Sequence, residues 1–117
     1  MSGVRMWSPE DRTGGPIDSV FDDLRLQFRD LVIERLVGTY PADDDNVFWL
    51  SLGRAPALRG EETVQVDTYP EGRPPFLLEG ERELAEHVTT EDSNEAFSQI
   101  AGWLRRRSTE DYGVLEC

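Results

Sequence analysis

Three short β-prone runs at residues 47–52, 62–69 and 75–79, bounded by glycine, proline or an acidic loop, limit the folds open to this chain. In the first, Phe48, Leu50 and Leu52 fall on one face and Val47 and Trp49 on the other, the period-two pattern of a pleated strand. The second alternates Val64 and Val66 inward with Thr63, Gln65, Asp67 and Tyr69 outward, so one of its faces meets water. The third begins at Pro75, as edge strands can, after a turn over Pro70-Glu71-Gly72-Arg73-Pro74. Residues 84–89 are read as a fourth strand, with a helical lead-in as the alternative. A three- to four-stranded, mainly antiparallel sheet is expected.

Two helices complete the pattern. Within residues 18–37, Val20, Phe21, Leu24, Phe28, Leu31, Val32 and Leu36 recur on one side of a helix turned at about 100° per residue. This predicts a long N-terminal helix stopped by Gly38 and Pro41. Leu26 and Ile33 project from its other side, covered by the rest of the fold or forming a contact strip for a second subunit or partner. Asp92 and Glu95 make a capping box for a C-terminal helix with an apolar stripe of Ala96, Phe97, Ile100, Ala101 and Leu104, closed by Arg105, Arg106 and Arg107. Gly102 inside it costs about 1 kcal/mol relative to alanine, so close approach of a strand or of Trp49 is expected there. The fold class is therefore α+β, with the C-terminal helix packed on the same sheet as the N-terminal one. Residues 16–107 form one domain, 1–15 a flexible arm with Trp7 as anchor, and 108–117 a C-terminal tail.

The chain has no lysine: its 12 cations are all arginine, against 24 Asp and Glu, for a net charge of -12. Such a surface repels phosphate backbones and anionic lipid, and attracts basic proteins. Codon bias or salt adaptation would produce the same composition without functional meaning. Residues 61–92 hold ten acids and two arginines, concentrating the negative charge in the later part of the sheet. Asp67, Glu79, Glu81, Glu83 and Glu86 are candidates for an acidic docking face there, with Asp43, Asp44 and Asp45 in the preceding loop.

Catalytic equipment is sparse. His87 is the single histidine, on an outward strand face, which excludes multi-histidine metal sites. Cys117, the one cysteine, has no partner for an intrachain disulfide and no evident activating base. Absent lysine excludes Schiff-base chemistry, and no nucleophile elbow, phosphate loop or dinucleotide fingerprint occurs. Asp43-Asp44-Asp45 fails as a calcium loop, because Phe48 and Arg54 stand where glycine and glutamate are needed. No metal, cofactor or catalytic residue is expected, and no nucleic-acid or membrane partner. No stretch approaches the roughly 20 apolar residues of a membrane span, and a cytoplasmic location is the expectation.

In its size, acidity, helices flanking a short sheet and aromatic run Phe48-Trp49-Leu50, the chain resembles bacterial polymorphic-toxin immunity proteins over about residues 16–107. The resemblance implies a non-catalytic protein that covers the basic cleft of a toxin, often a nuclease. The order of helix, strands and helix also resembles the type III secretion chaperones. That alternative implies a homodimer binding an extended client, with Leu26 and Ile33 as its surface; the first reading allows a monomer.

Overall fold

A computed structural model describes residues 3–37, 46–52, 63–80 and 87–116, with side chains described within 5–36, 47–52, 63–80 and 87–106. In chain order the elements are β1 (Gly3–Met6), α1 (Ile17–Gln27), β2 (Leu31–Val37), β3 (Asn46–Leu52), β4 (Val64–Tyr69), β5 (Arg73–Gly80), β6 (His87–Thr90) and α2 (Ser93–Glu116). The six strands form one antiparallel sheet whose spatial order follows the sequence, β1-β2-β3-β4-β5-β6.

The expected long N-terminal helix is replaced by a short helix and a strand. Helix α1 has 11 residues and ends at Phe28, whose extended backbone still donates its N–H to the Leu24 carbonyl. A turn closed by Leu31 N to Phe28 O at 3.1 Å then leads into β2. The run Leu31-Val32-Ile33-Glu34-Arg35-Leu36-Val37 places Leu31, Val32 and Leu36 at helical spacing and Leu31, Ile33 and Val37 on one face of a strand, so period alone does not separate the two. Its β-branched residues favour the strand, and β1 and β3 pair with it on both edges. This corrects the strip proposed for Leu26 and Ile33. Leu26 is 81% exposed on α1, whereas Ile33 is buried on β2, so the two share no helix face.

The flanks also depart from expectation. The arm over residues 1–15 supplies edge strand β1, and Trp7 follows it into the core. The tail over residues 108–117 continues α2 as far as Glu116. With the strand gained from the expected helix, these changes raise the sheet from three or four strands to six.

One face of the sheet carries the core. Ile33, Phe48, Leu50, Val64, Val66, Phe76 and Leu78 lie on that face, against Phe21 and Leu24 of α1 and Ala96, Ile100 and Leu104 of α2. Phe48 is its centre, meeting Trp7 and Phe21 edge-to-face at centroid separations of 5.2 and 4.9 Å. Such pairs add about 0.5–1.5 kcal/mol beyond the area buried.

Local polar contacts fix the helix ends. Asp18 accepts hydrogen bonds from Thr13 N, Thr13 Oγ1 and Gly14 N, fastening the loop before α1. Asp92 caps α2 as expected, accepting from Asn94 N at 2.8 Å and Glu95 N at 3.4 Å. Glu95 reaches back to the Thr90 hydroxyl, which donates to its carboxylate, so the box closes two residues earlier than the sequence suggests. Gly72 sits at φ 68° in the turn between β4 and β5, where a Cβ would fall 2.1 Å from Thr13 Oγ1. Gly102 is different. Nothing lies within 4 Å of a Cβ built there, and Trp49 projects from the other face of the sheet, so close approach does not account for this glycine.

Candidate binding face

The sheet face opposite the helices carries the exposed chemistry. Alternation along each strand puts on it the residues between core positions, and strand register aligns them across the sheet. One row runs through Met6, Glu34, Trp49, Gln65, Glu79 and His87, each paired with the next. A second runs through Val47, Asp67, Leu77 and Thr89. Tyr69 and Arg73 pair at the end of β4 and β5.

The face is mixed in character. Val47, Trp49 and Leu77 are half-buried, Met6 and Tyr69 exposed, and Glu34, Asp67 and Glu79 stand among them. Trp49 Nε1 donates to Gln65 Oε1 at 3.2 Å, and Gln65 Nε2 donates to Asp67 Oδ1 at 2.9 Å. This relay holds the indole in one orientation. His87 Nε2 lies 3.3 Å from Glu79 Oε2 across β5 and β6, with more than half of the His87 side chain exposed.

Most described arginines are engaged away from this face. Arg5 and Arg35 lie on the core side of β1 and β2, their guanidinium carbons 5.2 and 5.5 Å from the Trp7 ring centroid. Arg12 forms a pair with Asp22 at 2.9 Å, which raises its pKa through hydrogen bonding and then charge. Arg25 donates to the Trp7 carbonyl, and burial lowers its pKa from the ordinary value. Arg73, at the margin of the sheet, donates its Nε–H to the Pro70 carbonyl at 2.8 Å and lies 3.9 Å from Glu71. The carboxylates of the central rows therefore face outward with no arginine among the described residues of those rows.

Of the residues predicted to bind a partner, Asp67 and Glu79 are brought together on this face, on adjacent strands. Asp43, Asp44, Asp45, Glu81, Glu83 and Glu86 lie outside the described residues. Leu26 is exposed on α1, on the core side of the sheet, and Ile33 is interior. Sequence reasoning missed Glu34, because its segment read as helix. It placed Trp49 on the face opposite Phe48 without recognising the row that Trp49 joins; the alternation of residues 47–52 was the available signal.

A cavity of about 310 Å³ lies on the other side, between the end of β1, α1 and β2, lined by Met6, Trp7, Arg25, Phe28, Leu31 and Ile33 among others. It is mainly apolar, and polar contacts among its lining residues include Arg25 to the Trp7 carbonyl and Trp7 N to Ile33 O. Among the described residues, no cluster of three or more His, Cys, Asp or Glu is placed to hold a metal ion, and no helix is long and apolar enough to cross a membrane. Comparisons with protein-family models, with curated proteins and with solved structures find no match to this chain.

Proposed function

We propose that this chain is a non-catalytic acidic binding protein of the inhibitor or immunity type, which neutralises a basic partner such as a toxin through the open face of its sheet. The observation that carries the reading is the cluster of carboxylates and apolar side chains in the central rows of that face, which hold no arginine among the described residues. Glu34, Asp67 and Glu79 stand outward with Val47, Trp49 and Leu77, while Arg5 and Arg35 lie on the core side against Trp7. A field of this sign speeds encounter with a cationic surface and rejects anionic ones, and the apolar groups between the carboxylates supply area that a partner can desolvate. A nuclease cleft is cationic because its substrate is anionic, so it suits such an occupant.

The surface that the dimeric-chaperone alternative assigned to Leu26 and Ile33 is not one strip, because the two belong to different elements and Ile33 is interior. The inhibitor reading is tested with the purified product of the adjacent reading frame. Stoichiometric chain should abolish that product's activity, with an association rate falling at least about tenfold between low and high salt. Salt-independent association, or no binding at micromolar concentration, refutes it.

A further inference from the structure

We infer that the centre of the open sheet face is an arginine-recognition site, in which a guanidinium presented by the partner lies against the indole of Trp49 and pairs with Glu34 and Asp67. This rests on the reading above and assigns its chemistry to particular residues. Trp7 and Trp103 are buried, whereas Trp49 is half-buried on an open face, fixed through Gln65 to Asp67. An aromatic ring already held in place loses little freedom on binding, which is what makes such rings the dominant contacts of interfaces.

The carboxylates are arranged around that ring by the register. Glu34 is directly opposite Trp49 on β2, and Asp67 is diagonal to it on β4, two positions from its partner Gln65. Directly paired side chains stand about 5 Å apart and diagonal ones about 7–8 Å, both within reach of one bound guanidinium. Glu34, Trp49 and Asp67 have interactions within the chain, so an incoming cation adds to them or replaces them.

Arginine suits this arrangement better than lysine. Its planar guanidinium stacks on an indole and meets a carboxylate with two parallel N–H donors, whereas an ammonium does neither and is harder to dehydrate. The chain uses the same chemistry internally, where Arg5 and Arg35 lie over Trp7. Leu77, paired with Asp67 on the same face, offers apolar surface for the stem of the incoming side chain.

The test uses full-length chain and three nine-residue peptides that alternate glycine with arginine, lysine or citrulline, followed by NMR of the indole N–H resonances. Trp49→Phe assigns the Trp49 signal. The arginine peptide should shift that resonance and bind about tenfold tighter than the lysine peptide, with the citrulline peptide inactive. Glu34→Gln and Trp49→Leu should each weaken arginine-peptide binding about tenfold. Should Trp49→Leu misfold, Trp49→Phe and Glu34→Gln carry the test. Equal binding of arginine and lysine peptides, or shifts confined to Trp7 and Trp103, overturns the site. If the natural partner binds wild type and Glu34→Gln equally well, the arginine site falls while the acidic-inhibitor reading stands. If that partner fails to bind but the arginine peptide shifts Trp49, the converse holds.

Discussion

Replacing Trp7 by alanine tests whether the N-terminal segment is part of the fold. The Trp7 side chain is 5% exposed, packs edge-to-face on Phe48 and lies under the guanidinium groups of Arg5 and Arg35. Truncating a buried tryptophan costs about 3–5 kcal/mol, to which the ring contact with Phe48 contributes about 0.5–1.5. Against a total stability of about 5–15 kcal/mol this is a large fraction. At about 4 °C per kcal/mol for a chain of this size, Tm should fall by roughly 12–20 °C. The backbone hydrogen bonds of Trp7, N to Ile33 O and the carbonyl from Arg25, are untouched, so the change isolates the side chain. Urea titration at constant m-value supplies the free energy, and Met6→Ala is the control. Met6 is adjacent in sequence but 58% exposed, so its loss should stay within about 0.5 kcal/mol. If Trp7→Ala matches Met6→Ala, the segment does not dock and the role given to Phe48 as centre of the core is wrong.

Leu26→Asp should leave mass and Tm nearly unchanged, within about 0.5 kcal/mol, whereas Ile33→Asp should unfold the chain by leaving a charge in the core; light scattering and circular dichroism separate the two outcomes. Gly102→Ala should raise stability by about 0.5–1 kcal/mol, because a Cβ there meets nothing within 4 Å; Gly72→Ala should lower it by more than about 1 kcal/mol through its positive φ and the clash with Thr13. The Asp11 carboxyl is held below its ordinary value of 3.8, first by the backbone N–H of Ser8 and then by the Ser8 hydroxyl and Arg5. Because the folded value is depressed, its contribution is present above pH 3.8 and lost as pH falls through the folded value. Wild type should therefore exceed Asp11→Asn in Tm at neutral pH, and the gap should close in acid; a gap constant with pH refutes the assignment.

The strands at residues 46–52, 64–69 and 73–80 and the start of α2 were legible in sequence because their determinants are local. Alternation places Val64 and Val66 inward, glycine and proline separate the strands, and the Asp92 side chain reaches N–H groups two and three residues ahead. Residues 31–37 were not, since their spacing satisfies both periods. The strand is selected by β1 and β3, which satisfy its backbone groups from both sides, and no local pattern records that pairing. Strand β1 is similar: four residues without a period of their own become an edge strand because Trp7 is buried beside Phe48.

The sequence alone determined the excess of carboxylates, the lack of lysine and the alternation that turns Asp67 and Glu79 to one side of the sheet. Tertiary structure decided which groups share that side. Glu34, Trp49, Gln65 and Glu79 are far apart in the chain and become neighbours through the register of antiparallel pairs. A one-residue slip would exchange the two faces, so the position of the candidate site is a property of pairing and burial together.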